Sequence, residues 1–201
     1  MLAPLTSSIL LAQDWSLINK LTPLVLDNND GLGMAIDIDG SVLAIGAWTD
    51  DMNETPTRVS EAGAAYVYEK NMSGTWVLQD KVFSPNPESL GYFGHAVAVV
   101  GDEVIIGAYN EDTDQNTILN NGRVYIFEKR TNSGYELKQI LQAPDGNNGD
   151  FFGFTLATSE EHLVVGAHNH RLDLAGNNPL RESGAVYISE NKMISGIIYK
   201  N

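Results

Sequence analysis

Side chains that could do chemistry gather at two kinds of place in this 201-residue sequence. The runs Asp27-Asn28-Asn29-Asp30 and Asp145-Gly146-Asn147-Asn148-Gly149-Asp150 space carboxylates and amides closely enough to converge on one hard cation. Asp27, Asp30, Asp145, Asn147 and Asp150 are therefore the candidate metal ligands, and calcium is the cofactor they would take. Asn, Asp and Gly are equally the standard residues of tight turns, so the same runs also read as plain turns. The intermediate counterpart Asn86-Pro87-Glu88-Ser89 holds a single carboxylate, and a metal role cannot belong to every such segment.

The second kind of place follows a Gly-Ala pair. Trp48 leads to Asp50 and Asp51, Tyr109 leads to Asn110, Glu111, Asp112 and Asp114, and His168 leads to Asn169, His170 and Asp173. His168 and His170 would need a third ligand such as Asp173 to hold a metal, and two solvent-facing loop histidines account for the same pattern. Catalytic arrangements are missing. The four histidines have no repeated serine or cysteine partner, and neither H-E-x-x-H, G-x-S-x-G nor a phosphate-cradling glycine loop occurs. Carboxylates are numerous enough to supply a glycosidase pair, but sequence does not say whether two of them share a cleft. No enzyme activity is expected.

These residues are positioned by a repeat. Gly46-Ala47, Gly107-Ala108 and Gly166-Ala167 recur about 60 residues apart, and Gly33, Gly94 and Gly153 keep the same beat, as do Tyr66, Tyr125 and Tyr187. Trp15, Trp76 and Tyr135 recur too, as blade-packing or sugar-stacking aromatics. In the middle unit an apolar small-residue strand ends at Gly101-Asp102, a two-residue hairpin turn, and a near-continuous apolar strand follows to Ala108. An alternating strand from Gly122 and an outer strand from Tyr135 complete four antiparallel strands. No stretch combines a cap with ten helical residues free of glycine and turn signals.

The expected class is all-β: propeller-type blades of four antiparallel strands in three tandem repeats, the last incomplete. A tail at 1–13 precedes a repeat domain at 14–201. That domain holds an outer strand at 14–22, blade one at 31–82, blade two at 91–141 and blade three at 150–201. The loops 48–62, 109–121 and 168–183 leave the same edge of each blade, and same-face loops on a rigid scaffold are where repeat proteins bind.

The run ending Asp150-Phe151-Phe152-Gly153, the hairpin to Val164-Val165-Gly166-Ala167 and the later Gly184-Ala185-Val186-Tyr187 resemble the bacterial-type FG-GAP repeat. That repeat is similar to the blades of the integrin α-chain propeller. The resemblance covers about residues 14–201 and implies ligand binding, adhesion and calcium-stiffened loops. The first unit departs from it, with Leu32-Gly33 in place of Phe-Gly. The Asp-rich ligand loop between the first two strands is also absent. Asp37-Ile38-Asp39-Gly40, Gly101-Asp102 and Ser159-Glu160-Glu161 are hairpins too short to surround an ion.

Composition narrows the partners. With 26 acidic against 12 basic residues and a net charge of −14, binding to nucleic acid or anionic lipid starts against repulsion. The absence of cysteine excludes disulfides, thiolate metal sites and thiol catalysis. Residues 1–13 lack a basic start and are too short for a signal peptide or a membrane span. The functional expectation is a non-enzymatic binding or scaffold module, extracellular or surface-associated, whose loops hold a protein or glycan. A hydrolase of which this is an ancillary part is the alternative. Three blades do not make an ordinary ring, so further blades or another copy are expected to complete it, with residues 15–21 adding to the third blade of that copy.

Overall fold

The computed structural model describes residues 15–23, 28–53, 58–112, 119–131, 134–171 and 183–190. Among them eleven strands form three antiparallel meanders and no helix is long and apolar enough to cross a membrane. Blade one is β1 (Leu32–Asp39), β2 (Val42–Ala47), β3 (Ala64–Lys70) and β4 (Trp76–Val82). Blade two is β5 (Ala96–Val100), β6 (Glu103–Ala108), β7 (Arg123–Arg130) and β8 (Gly134–Leu141). Blade three shows β9 (Phe152–Thr158), β10 (His162–Ala167) and β11 (Ala185–Glu190). The place of its fourth strand, 191–201, lies outside the described residues.

The sequence dictates this layering. Every residue of β2 is buried, because a strand of Val, Leu, Ala and Ile with no charge can be covered on both faces. The outer strands β4 and β8 expose most of their middle positions to water, Val77 to Gln79 in β4 and Glu136 to Ile140 in β8. The turns after β1 and β5 place Gly40 and Gly101 at φ 54° and 57°, a left-handed conformation that glycine adopts without a Cβ clash.

The cores lie between blades rather than within them. Val42, Ala44, Ala65 and Val67 on one face of blade one close on Val97, Val99, Val104, Ile106, Tyr125 and Phe127 on the facing side of blade two. Ala98, Ile105 and Val124 close in the same way on Phe152, Leu163, Val165 and Ala167 of blade three. The junctions are close because of glycine. A Cβ on Gly46 would sit 1.9 Å from the Gly94 carbonyl oxygen, and one on Gly107 would sit 2.1 Å from that of Gly153. Backbone hydrogen bonds cross beside them, from the Phe93 amide to the Ala62 oxygen at 2.9 Å and from the Phe152 amide to the Asn121 oxygen at 2.7 Å. The innermost strands β1, β5 and β9 line an open groove of about 590 Å³.

The outer strand expected at 14–22 does not appear. Residues 15–23 carry no strand hydrogen-bonding pattern, and Trp15, Leu17 and Ile18 are exposed. An outer strand needs a blade edge to pair with, and β1 to β4 already pair among themselves in the order β1-β2-β3-β4.

Candidate binding face

The loop end of the blades is built from one local device used three times. As the chain leaves β2, β6 and β10, the amides of Asp50, Glu111 and His170 donate to the oxygens of Ala47, Ala108 and Ala167 at 3.1, 3.3 and 3.2 Å. The loop then closes on itself: the amides of Gly63, Gly122 and Gly184 donate to the oxygens of Asp50, Glu111 and His170 at 2.9, 3.0 and 3.0 Å. This turn sorts the side chains that follow the Gly-Ala pair. Trp48 and Tyr109 are left half-buried and His168 exposed, whereas Asp50, Glu111 and His170 go inside.

Trp48, Tyr109 and His168 belong to a continuous row of rings that crosses both blade junctions. Tyr92 stands between the first two, 4.9 Å from Trp48 and 5.6 Å from Tyr109. Phe151 stands between the second pair, 5.5 Å from Tyr109 and 5.4 Å from His168. His95 and Phe154 form a second tier, 4.6 Å apart. His95 lies 4.5 Å from Tyr109, and Phe154 lies 4.1 Å from His168. Tyr92 and Phe151 sit at φ 54° and 60°, where bulky side chains are strained, so the packing on either side must hold them there. Their counterpart in blade one is Gly31, and the Trp48 indole fills the room a Cβ would take, with its Nε1 2.6 Å away.

Burial pushes the His95 imidazole below its ordinary pKa, and the nearby His168 adds to that shift. Burial also raises the Tyr92 and Tyr109 phenols, which stay protonated and can donate. Rings, imidazoles and phenols of this kind can stack on a planar or apolar surface and give it a few hydrogen bonds.

Asp50, Glu111 and His170, expected as ligand residues of the loops, are instead loop anchors. Asp50 accepts the Tyr66 hydroxyl at 2.9 Å and pairs with the Lys81 ammonium at 3.0 Å, with its pKa raised by burial. Glu111 accepts the Tyr125 hydroxyl, lies 3.6 Å from the Arg123 guanidinium, and has its pKa pushed up by burial to about 7. His170 places Nδ1 2.9 Å from the Asp150 carboxylate, with its ring against Tyr187 at 6.2 Å. Polar residues next to a turn look solvent-facing in sequence; here Tyr66 and Tyr125 one strand away give Asp50 and Glu111 a buried partner, and Asp150 gives one to His170.

Other expected loop residues pin the chain as well. The Asn110 amide donates to the Leu90 oxygen at 2.7 Å and the Asn169 amide to the Gly149 oxygen at 2.6 Å, each tying a loop to its own blade's entry turn. Asp51 accepts the Glu61 amide at 2.9 Å and pairs with Arg58. Asp112 accepts the Asn120 amide at 2.7 Å. Asp114 and Asp173 lie outside the described residues.

The candidate metal loop at 145–150 is closed on itself. Asp150 is fully buried and takes the Asn147 amide at 2.7 Å as well as His170. Asn147 donates to the Asp145 oxygen at 2.9 Å, and the Asp145 carboxylate accepts the Tyr187 hydroxyl at 2.8 Å. One oxygen of each carboxylate is thus engaged, while Asp150 Oδ1 is buried with no hydrogen-bond partner. Among the described residues no group of three or more His, Asp or Glu is arranged to hold a metal. In the other candidate cluster Asp30 is buried, and Asp27 lies outside the described residues.

The sequence reading passed over Tyr92, His95, Phe151 and Phe154. An aromatic residue two places before Gly94 and Gly153 was the available signal, but nothing local shows that Tyr92 and Phe151 fill the spaces between Trp48, Tyr109 and His168.

The FG-GAP repeat family model matches three tandem segments, 15–68, 76–127 and 135–189, more than half of the chain. The second and third matched units begin one strand early, with β4 and β8, the outer strands of the preceding blades. No curated protein matches the chain. Three matched repeats, folded as three successive four-stranded or three-stranded antiparallel blades packed through their Gly-Ala strand ends, establish that the chain belongs to the FG-GAP repeat family.

Proposed function

We propose that this protein is a non-enzymatic interaction module that holds a protein or glycan across the aromatic row from Trp48 to His168, in an extracellular or cell-surface setting. FG-GAP repeats form propeller-like interaction and scaffold modules, and the loop end of this one carries the reading. The observation that supports it is the row itself: five rings, from three blades, left half-buried or exposed at the edge from which the long loops rise. An aromatic surface on a protein of net charge −14 suits a neutral or cationic partner, through stacking on sugar faces, apolar side chains or arginine planes.

The test is binding of the full chain to a glycan array and to immobilised matrix proteins, with Trp48→Ala and Tyr109→Ala beside the wild type. Either substitution should weaken the captured interaction by about tenfold or more, as the loss of an aromatic anchor does. A ligand bound equally well by all three proteins would place recognition elsewhere and defeat the reading.

A further inference from the structure

Asp50, Glu111 and His170 hold equivalent places in the three blades, and each roots the loop that follows its Gly-Ala strand end. They are not equally well served. Asp50 has a donor on each carboxylate oxygen, the Tyr66 hydroxyl at 2.9 Å and the Lys81 ammonium at 3.0 Å. His170 meets the Asp150 carboxylate at 2.9 Å. Glu111 is fully buried, yet only its Oε2 is bonded, to the Tyr125 hydroxyl, and Oε1 has no hydrogen-bond partner. The Arg123 guanidinium stands 3.6 Å away, beyond hydrogen-bonding reach, and its own Nε is buried without a partner.

The groups around Glu111 decide its charge. Tyr125 and Arg123 face it from β7 and favour the ionised form, as does Ser84, whose hydroxyl lies 3.1 Å from that of Tyr125. Glu88, in the entry turn of blade two, opposes ionisation with a second carboxylate, which itself accepts the Asp112 amide at 2.9 Å. Burial outweighs them all and lifts the Glu111 carboxyl to about 7. An orphaned oxygen on a fully buried carboxylate is costly to keep charged, and a proton removes most of that cost.

The same residue ties together the two described ends of the second loop, 109–112 and 119–122. Its oxygen accepts the Gly122 amide at 3.0 Å, and its amide donates to the Ala108 oxygen at 3.3 Å. On either side of it, Asn110 donates to the Leu90 oxygen and Asp112 accepts the Asn120 amide, both at 2.7 Å. Tyr109, two residues before Glu111, is the central ring of the row and packs on Tyr92, His95, Phe151 and Phe154. We propose that Glu111 is a proton-operated latch: its neutral form holds these loop ends closed with Tyr109 in the row, and loss of the proton releases them. Opening returns the carboxyl to water and to its ordinary value of 4.5, so a bound proton favours the closed form, and that advantage fades as pH rises through 7. Resting on the reading of the row as the binding face, the latch makes recognition stronger on the acid side of neutrality.

Amide hydrogen exchange of the nitrogen-15-labelled full chain, followed by NMR, tests the latch at two glycines. Gly63 and Gly122 make the same bond, to the Asp50 and Glu111 oxygens, and amides at loop ends exchange through local openings before the fold as a whole is lost. Corrected for the intrinsic effect of pH, the protection of Gly122 should fall about tenfold between pH 6 and 8 while that of Gly63 stays level. Glu111→Gln, which cannot ionise, should make Gly122 behave like Gly63. If that variant fails to fold, the two glycines of the wild type decide alone. Equal falls at Gly63 and Gly122 overturn the latch, as do a level Gly122 in the wild type and a Glu111→Gln protein that keeps the fall. No ligand enters this measurement, so the latch can fail while recognition by the row stands, and the row can fail to bind while the latch stands.

Discussion

The middle of a blade junction and its loop end are made from the same repeat positions and behave in opposite ways. In the middle, Gly46 and Gly94 bring two backbones to touching distance, and Ala44, Val67, Val97 and Ile106 are buried around them. A few residues further along the same strands, Trp48, Tyr92 and Tyr109 bridge the same two blades with rings that remain half-buried. Small residues let sheets approach and seal; large rings hold them apart and leave a surface. The stability of the fan therefore concentrates in the sealed part, and its capacity for recognition in the part that is propped open.

The largest effect should come from breaking the seal. Gly46→Val places side-chain atoms onto the Gly94 carbonyl, backbone that has nowhere to move, and should cost about 4 kcal/mol or prevent folding altogether. Urea denaturation followed by tryptophan fluorescence measures it; a loss under about 1 kcal/mol would show that the blades separate freely and that the junction is not the core.

The loop-end anchor gives the next largest effect, and it depends on pH. Burial raises the Glu111 carboxyl from its ordinary 4.5 to about 7, so the folded protein holds a proton there that the unfolded chain releases. The contribution is fully present below pH 4.5 and is lost as pH rises through 7. The wild type should lose up to ~3 kcal/mol of stability between pH 5 and 8 from this group, and Glu111→Gln, which keeps a neutral acceptor for the Tyr125 hydroxyl, should flatten that slope. Equal slopes in the two proteins would contradict the assignment.

Smaller still is the stability effect of Tyr109→Ala, about 1 to 2 kcal/mol in thermal denaturation, because its ring is only half removed from water. A loss matching that of the junction core would make the aromatic row a structural seam and dissolve the contrast. The smallest expected effect is that of calcium. Millimolar calcium should shift the melting temperature by less than about 1 °C if the loop at 145–150 is held by His170 and Tyr187 rather than by an ion. His170→Ala, by contrast, should lower stability by about 2 kcal/mol, because the buried Asp150 carboxylate is left with the Asn147 amide and without its histidine.

Much of the architecture was legible from residue order alone. The Gly-Ala pairs, the glycines ahead of each first strand and the alternating third strands recur because every blade must make the same turns and the same close approach to its neighbour. Turn chemistry and a two-residue period are local, and local constraints are written in adjacent residues. That is why residue order alone assigns Trp48, Tyr109 and His168 to one edge of the molecule.

What the tertiary structure decided was which side chains on that edge face outward. Asp50, Glu111 and His170 have the polarity of loop surface and yet are buried, because Tyr66, Tyr125 and Asp150, 14 to 20 positions away in sequence, supply partners that remove the cost of burial. Tyr92 and Phe151 lie in left-handed backbone that no local preference favours; the rings of the blade before and the loop after hold them there, together with their amides' hydrogen bonds to the Glu61 and Asn120 oxygens at 3.3 Å. Sequence by itself determined the repeat, the strand order and the common edge. The aromatic row and its buried anchors arise from contacts between distant segments, whose energies depend on burial and partner geometry rather than on residue type.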